Sequence, residues 1–236
     1  MLANNLLAFA ITLILALAWL RLNDFAAHKG WISGRLSRKI IHIGTGPIFV
    51  ACWLLFQNST AARYLAALIP LAITLQFFLL GKGIIRDPSA VEAMSRTGDA
   101  REILRGPLYY GIVFVIITAL YWYDSPAGMV ALMLMCGGDG LADIVGRRYG
   151  RARLPWNQEK SWLGSLGMFF GGYFFSVAIL ALYVAAGIFP APVSGYFLPL
   201  IWIALAGTLV ESLPFKDVDN ITVTLTALLV GRLLIG

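Results

Sequence analysis

Charged residues are scarce in this sequence. Asp, Glu, Lys and Arg make up 13% of the 236 residues, whereas 59% are hydrophobic and the mean hydropathy is +0.80. Soluble globular domains carry about 25% charged residues. This shortage excludes an ordinary soluble domain and indicates an integral membrane protein.

Several other features are missing. The two cysteines, Cys52 and Cys136, lie in apolar runs without metal-ligand spacing, so we assign them no role. The first apolar segment has no basic region before it and no small-residue cleavage site, which favours a retained helix over a signal peptide.

The net charge of +6 comes without a recognisable nucleic-acid-binding module, so we expect no nucleic acid partner. No repeat or long linker divides the chain, which predicts a single domain over 1–236.

Long apolar segments are what the sequence has instead. A helix that crosses about 30 Å of hydrocarbon needs about 20 predominantly apolar residues. Eight segments approach this length, and they predict an all-α, polytopic membrane helix bundle of about eight transmembrane helices. They lie near 4–20, 40–57, 62–80, 107–123, 127–146, 164–188, 196–213 and 220–235.

Lys and Arg fall mostly in alternate loops. With eight spans, 16 of the 18 basic residues lie in the first, third, fifth and seventh loops, and only Arg63 and Arg232 lie elsewhere. Cytoplasmic loops of membrane proteins carry an excess of Lys and Arg. We therefore expect a multi-pass protein with both termini on the non-cytoplasmic side and a site that faces the cytoplasm. The four loops hold Arg21, Lys29, Arg35, Arg38, Lys39, Lys82, Arg86, Arg96, Arg101, Arg105, Arg147, Arg148, Arg151, Arg153, Lys160 and Lys216.

Two carboxylates lie inside an apolar segment. Asp139 and Asp143 are four residues apart, so on a helix they share one face. Burial of a carboxylate in a bilayer costs several kcal/mol unless something compensates the charge. The pair could hold one Mg²⁺, or place one carboxylate on the metal and the other on the substrate. The glycines around Asp139, at 137, 138 and 140, would let backbone and a bound phosphate approach closely.

A basic segment follows the two aspartates. A lysine before a glycine-containing helix start, here Lys160, can meet a phosphate with a point charge while the helix N-terminus offers free N–H groups. In the alternative interpretation, Arg147 and Arg148 only neutralise the two aspartates, and Arg151 and Arg153 only set the membrane topology. The candidate phosphate-binding residues here are Arg147, Arg148, Lys160, Ser161, Gly164 and Ser165.

A second basic group lies at the start of the second span, where the sequence reads RKIIHIGTGP. Arg38, Lys39 and His42 are candidates for phosphate binding, and Arg38 and His42 share a helix face. His42 could transfer a proton or hydrogen-bond a phosphate. Equally, it could be a histidine at the membrane edge whose ring is satisfied by a backbone carbonyl.

Glu102 precedes the Gly106-Pro107 break that starts the fourth span, and it is a further candidate. Tyr109 and Tyr110 follow it near the interface, where aromatic belts are common, so we assign the tyrosines no role in the site.

Three more polar residues lie towards the end of the chain. Glu211 is close to the cytoplasmic end of the seventh span, and Asp219 and Asn220 open the eighth. Asp219 could serve only as a helix N-cap. Together with Asp139 and Asp143, Glu211 could form a shared metal or hydroxyl-activating centre if the acids converge in space.

Five motifs in order resemble a known family: RKIIHIGTGP, EILRGPLYYGI, GGDGLADIVGRRYG, KSWLGS and VESLPFKDVDN. The chain is similar to the phytol kinase and dolichol kinase family of CTP-dependent polyprenol kinases, and most similar to its phytol kinase branch. The resemblance implies transfer of the terminal phosphoryl group of CTP to a long isoprenoid alcohol, such as phytol or geranylgeraniol. The product would be the monophosphate, formed at the cytoplasmic face of the membrane. The preference for CTP rests wholly on this resemblance.

The resemblance places the site residues by motif. Asp139 and Asp143 match the acidic motif, and we expect them to bind Mg²⁺, with one of them accepting the alcohol proton. We expect Lys160 and Arg147 to contact the phosphates, and Glu211 to act as a supporting acid. The other matching positions are Arg148, Ser161, Gly164, Ser165, Asp219 and Asn220.

Two other functions fit parts of the pattern. A phosphatidate cytidylyltransferase also joins CTP to a multispanning protein, but the C-terminal signature of that family is absent here. A transporter would use buried acids for ion coupling, but it leaves the basic residues near the acids unexplained. The partners we expect are CTP, an isoprenoid alcohol and membrane lipid. A homodimer is possible, since Gly167, Gly171 and Gly172 could pack helices within one chain or between two.

Overall fold

The protein was analysed as a computed structural model that describes residues 1–2, 4–95, 97–123, 125–215 and 218–236. The described residues are helical, apart from loops and one two-stranded hairpin. The α-helices are α1 (Asn5–His28), α2 (Gly34–Trp53), α3 (Thr60–Gly81), α4 (Pro88–Met94), α5 (Gly106–Leu120), α6 (Pro126–Met133), α7 (Asp139–Tyr149), α8 (Trp162–Ala185), α9 (Phe197–Glu211) and α10 (Asp219–Ile235). Short 3₁₀ helices cover Ala100–Leu104 and Val193–Tyr196, and the hairpin strands are β1 (Arg153–Leu154) and β2 (Asn157–Ser161).

The helix starts follow from local capping. Asn4, Ser33, Ser59 and Ser161 each accept a hydrogen bond from a backbone N–H in the first turn of α1, α2, α3 and α8. Such caps satisfy donors that have no partner within the helix. The cap at Ser33 starts α2 before its basic residues, so these lie on the helix and not in the loop that we predicted.

The central helix of the bundle is interrupted by a π-helical turn. α6 and α7 form one continuous rod that is joined by the π segment Leu134–Gly138. The side chains from Met129 to Cys136 are almost fully buried. A helix that is apolar on all sides belongs in the middle of its fold, and single π turns are frequent at functional sites. Asp139 follows this turn directly.

Among the residues that the structure describes, six helices are long and apolar enough to cross a membrane. Of the remaining long helices, α2 carries three cations in its first two turns and α10 is shorter, at 17 residues. The finding confirms the prediction of an all-α polytopic membrane bundle. The six are Asn5–His28, Thr60–Gly81, Ala100–Leu120, Pro126–Tyr149, Trp162–Ala185 and Val193–Glu211.

One end of the bundle collects the loops in which we expected the chemistry. Here α1, α3, α7 and α9 end and α2, α5, α8 and α10 begin. Arg38 on α2 donates to the backbone oxygen of Ser95, between α3 and α5, at 2.6 Å. Asn220 on α10 donates to the Gly106 oxygen at the start of α5, at 3.0 Å. We call this the basic end, because the described Lys and Arg residues of the four loops belong to it. Arg96 and Lys216 lie outside the described residues.

Both termini lie at the opposite end. The backbone N–H of Leu2 donates to the Leu55 oxygen at 2.8 Å, and the Ser125 hydroxyl donates to the oxygen of Gly236. Arg63 and Arg232, the two basic residues outside the four loops, belong to this end. The two ends therefore differ in charge as the loop pattern predicts.

Glycines bring α7 and α8 into close contact. A Cβ on Gly171 would lie 2.7 Å from the backbone oxygen of Gly137, and a Cβ on Gly167 would lie 3.0 Å from that of Leu141. A Cβ on Gly172 would approach the side chain of Leu134. The α8 glycines thus pack helices within one chain, and they provide no argument for a dimer.

Candidate active site

The first charged centre lies between α2 and α7. The ammonium of Lys39 is 3.4 Å from Oδ2 of Asp143 and 3.9 Å from Oδ2 of Asp139. All three side chains are about four-fifths buried. Arg147 donates from Nε to Oδ1 of Asp143 at 2.5 Å and is itself half exposed. The two carboxylates therefore share one cation, and Asp143 has a second.

His42 contacts Asp139. Its Nε2 lies 3.1 Å from the backbone oxygen of Met135, in the π turn, and 3.4 Å from Oδ2 of Asp139. Both neighbours are oxygens that only accept at this point, so Nε2 carries the hydrogen. His42 thus acts as a donor towards Asp139, and its Nε2 has no lone pair with which to take a proton from a substrate. The sequence allowed His42 either to act on a proton or phosphate or to bond a backbone carbonyl. The structure contains the bond to a backbone carbonyl, that of Met135.

Tyr110 supports His42 from α5. Its hydroxyl donates to the His42 backbone oxygen at 2.9 Å and lies 3.2 Å from the sulfur of Cys136. The rings of Tyr110 and His42 are 4.5 Å apart. These contacts place Tyr110 inside the bundle and not in an aromatic belt at the membrane surface. Its spacing to Phe114 and Ile117, which are buried at i+4 and i+7, is the signal that would have placed it on the inner face of α5.

The second charged centre is built around Lys160 on β2. Its ammonium pairs with Oε1 of Glu211 at the end of α9 and lies 3.2 Å from Oδ2 of Asp219 at the start of α10. Glu211 is only 3% exposed, so its charge depends on this partner. Asp219 faces Lys160 and does not serve as the helix cap that the sequence allowed.

The electrostatics link the two centres. Burial of Lys160 disfavours its charged form, but the carboxylates of Glu211, Asp139 and Asp219 outweigh burial and raise its pKa above the ordinary value of 10.5. Lys160 is therefore cationic at every physiological pH. Because Asp139 contributes to this shift, the two charged centres lie within electrostatic reach of one another.

The hairpin that carries Lys160 was not predicted from the sequence. β1 and β2 pair antiparallel between α7 and α8, and Ser161 then caps α8 by accepting from the Gly164 N–H at 3.1 Å. The hairpin rests on the end of α9 through Asn157 and Trp156, which hydrogen-bond to Ser212. Lys160 thus lies on a hydrogen-bonded strand, where the sequence predicted a basic loop.

Some predicted site residues serve packing. The space beside Gly137, Gly138 and Gly140 is filled by Phe175, Met168 and Ile43, so these glycines admit neighbouring helices and not a phosphate. A Cβ on Gly164 would lie 3.2 Å from the Ala142 oxygen on α7. Ser161 is occupied as a helix cap, and the hydroxyl of Ser165 is buried without a described hydrogen-bond partner.

Other predicted residues lie at the basic end but outside the two centres. Glu102 accepts from the hydroxyl of Thr97 at 3.0 Å within the third loop. The guanidinium of Arg148 lies over the ring of Tyr149, at 5.5 Å from its centroid. Arg38 donates to the backbone oxygen of Ser95 in the middle of that loop, and Asn220 donates to that of Gly106 at its end. Of the two arginines that could neutralise the aspartates, Arg147 pairs with Asp143, whereas Arg148 lies over Tyr149.

The carboxylate pair suits a divalent cation. Asp139 and Asp143 both face the ammonium of Lys39, so each directs a carboxylate oxygen towards a shared cation. Among the described residues no group of three or more His, Cys, Asp or Glu side chains could hold a metal ion. Mg²⁺ is usually held by one or two carboxylates together with substrate phosphates, so the donor set fits Mg²⁺ that is shared with a nucleotide. Glu211 is paired with Lys160, whose charge also interacts with Asp139. Its expected role as a supporting acid beside the aspartate pair stays a prediction.

Comparison with known proteins identifies relatives over nearly the whole chain. A probable chloroplastic phytol kinase from Triticum aestivum is 42% identical over 223 residues, which cover 94% of this chain and 74% of that protein. Phytol kinase 1 from Arabidopsis thaliana is 40% identical over 207 residues, covering 87% and 68%. The chloroplastic farnesol kinase of Arabidopsis thaliana is 38% identical over 233 residues, covering 98% and 76%. No protein-family model and no solved structure matches the chain.

Fold and similarity together define the class. The protein is a polytopic helix bundle whose relatives are phytol and farnesol kinases. It is therefore an integral membrane enzyme, a prenyl alcohol kinase. The chain belongs to the phytol kinase family.

Proposed function

We propose that this protein transfers the γ-phosphoryl group of CTP to the hydroxyl of a long isoprenoid alcohol, in the range of phytol, geranylgeraniol and farnesol. The activities after which its relatives are named, phytol kinase and farnesol kinase, support the acceptor class. The resemblance of the five motifs supports CTP as donor. The concentration of Lys and Arg at the basic end supports a cytoplasmic site.

The observation that carries the proposal is the pairing of two lysines with four acids at the basic end. Lys39 lies between Asp139 and Asp143, and Lys160 lies against Glu211 and Asp219. Phosphoryl transfer needs positioning and charge neutralisation more than covalent catalysis. The two ammonium groups, and Arg147 beside Asp143, would donate to triphosphate oxygens, while Mg²⁺ would offset the excess of carboxylates over cations.

The carboxylates have two roles in this proposal. Asp139 and Asp143 would hold Mg²⁺, which neutralises charge on the triphosphate when it is bound. The alcohol oxygen then forms a bond to the γ-phosphorus while the bond from that phosphorus to the β,γ-bridging oxygen breaks. CDP leaves, and the hydroxyl proton passes to one of the two carboxylates. His42 keeps Asp139 in place by donating from Nε2.

The second centre orients the donor. Glu211 and Asp219 hold Lys160 in one position, and the raised pKa keeps it charged while it binds phosphate oxygens. The alcohol's chain stays in the apolar part of the bundle or in the lipid, while its hydroxyl reaches the basic end. This arrangement explains why a kinase can be almost wholly intramembrane.

The test is label transfer by the purified protein in detergent with Mg²⁺. Reactions receive [γ-³²P]CTP or [γ-³²P]ATP together with phytol, geranylgeraniol, farnesol or a dolichol, and the lipids are separated by thin-layer chromatography. We expect a labelled prenyl monophosphate with CTP. Label from ATP alone would overturn the choice of donor. Release of pyrophosphate with phosphatidate, and no labelled alcohol, would indicate a cytidylyltransferase instead.

A further inference from the structure

The hairpin contains one buried polar side chain that the proposed chemistry does not use. Asn157 opens β2 and is 9% exposed, whereas its neighbours Trp156 and Gln158 are exposed. Polar side chains are rarely buried unless their hydrogen bonds are made. The bonds of Asn157 therefore indicate what its burial achieves.

The amide of Asn157 uses all of its polar atoms. Nδ2 donates to the backbone oxygens of Ser212 and Leu213, both at 3.2 Å, and Oδ1 accepts from the Glu159 N–H at 3.1 Å. The two carbonyls lie just beyond the C-terminus of α9, where helix carbonyls have no partner within the helix. An amide can donate twice and accept once from one side chain, whereas a carboxylate cannot donate at all.

The same bonds fix both halves of the Lys160 centre. Asn157 lies three residues before Lys160 on β2, and the two carbonyls that it binds follow directly after Glu211. Trp156 adds a second connection, from Nε1 to the hydroxyl of Ser212 at 3.3 Å. Asn157 and Trp156 therefore fix the position of Lys160 relative to Glu211, and they do so through hydrogen bonds to Ser212 and Leu213.

We propose that Asn157 is a positioning residue for Lys160. By joining β2 to the end of α9, it holds the Lys160 ammonium against Glu211 and so presents it to the phosphoryl donor. This inference rests on the proposed function for its kinetic part, while the placement of Lys160 can be measured without activity.

The first arm of the test measures Lys160 directly. The purified protein in detergent is treated with acetic anhydride at pH 8, and lysine acetylation is followed by mass spectrometry. In the wild type, Lys160 should react far more slowly than the exposed Lys82. In Asn157→Asp, which keeps the side-chain size but loses both donors, we expect Lys160 to react at least about fivefold faster while Lys82 is unchanged. An unchanged rate at Lys160 would overturn the proposal.

The second arm is a double-mutant cycle on kcat/KM for CTP. Asn157→Asp should lower kcat/KM by about 10- to 100-fold, the size expected when a charged group is misplaced by about 1 Å. In a Lys160→Met background, the same substitution should change kcat/KM by less than about twofold, because Asn157 acts through Lys160. Equal effects in both backgrounds would show that Asn157 has only a general structural role.

Two further variants keep the test decisive. Gln158→Ala, one residue along the strand, removes a bond to the Leu154 oxygen inside the hairpin and should leave both readouts unchanged. If Asn157→Asp does not fold, Asn157→Gln keeps a neutral amide but moves it by one methylene, and it should give a smaller change in the same direction. A wild type that transfers no label from CTP would refute the proposed function, while the acetylation arm would still decide the role of Asn157.

Discussion

Lys160→Met should reduce both stability and activity, and the two effects can be separated. The substitution leaves Glu211, which is 3% exposed, without its cation, whereas Asp219 is 27% exposed and partly solvated. Removing one partner of a buried pair costs about 3–5 kcal/mol, and we expect the lower value because Lys160 itself is 25% exposed. For a chain of this size, that corresponds to a decrease of about 6–12 °C in Tm.

A second substitution separates the two effects. In Lys160→Met with Glu211→Gln, no buried charge remains unpaired, so Tm should recover by at least half of the loss. Transfer of label from CTP should not recover, because the ammonium is still missing, and kcat/KM should stay at least about 100-fold below the wild type.

The assays are thermal unfolding in detergent and label transfer on the same preparations. Because the pKa of Lys160 is raised, its contribution to stability is fully present below its ordinary value of 10.5 and is lost only at more alkaline pH. The difference in Tm between the Lys160→Met/Glu211→Gln double variant, which has no unpaired buried carboxylate, and the wild type should therefore be the same at pH 7 and pH 9. A double variant that regains activity, or a single variant as stable as the wild type, would refute this account of the Lys160 centre.

Further outcomes follow from the packing and from the first charged centre. Tyr110→Phe keeps the ring on His42 but removes the hydroxyl that donates to the His42 carbonyl, so we expect a loss of about 0.5–1.5 kcal/mol in unfolding free energy. It should also lower kcat severalfold with little change in KM for CTP, and an equal kcat would contradict the supporting role of Tyr110. Gly171→Ala places a Cβ 2.7 Å from a backbone oxygen on the neighbouring helix and should lower stability by about 1–3 kcal/mol. Gly195→Ala, whose Cβ meets no atom within 4 Å, is the matched control for thermal unfolding and should show no comparable decrease in Tm.

Much of the architecture could be predicted from local pattern. Apolar length identifies spanning helices because the hydrocarbon thickness sets that length, and the alternation of basic loops separates the two ends of the bundle. The spacing of Asp139 and Asp143 places them on one helix face, and the structure has both on the same side of α7, against Lys39.

The pairing within the site could not be predicted in the same way. Lys39 precedes Asp139 by 100 positions, and no local pattern states which of the basic residues meets which acid. The π turn before Asp139 contains Gly137 and Gly138, but two glycines in an apolar segment do not by themselves distinguish a π turn from an ordinary α-helical turn. The hairpin is short, and its Asn157 gains its role only through contact with the end of α9.

The glycines illustrate the same limit. A glycine next to an aspartate suits either a phosphate or a neighbouring helix, because both need the missing Cβ. Gly140 is occupied by Ile43 of α2, and this contact brings α2 close enough for Lys39 and His42 to reach Asp139. The glycine therefore assists the site by allowing two helices to approach, and sequence alone could not distinguish this role from phosphate binding.

The most direct test of the central claim compares the wild type with Asp139→Asn in label transfer from [γ-³²P]CTP to geranylgeraniol, with Mg²⁺. Both proteins must elute as folded particles of equal size in detergent. We predict labelled prenyl monophosphate from the wild type and a decrease of at least about 100-fold in the variant, since Asp139 is proposed to hold the metal beside the triphosphate. A folded Asp139→Asn protein with full activity would contradict the assignment of the reaction to this site.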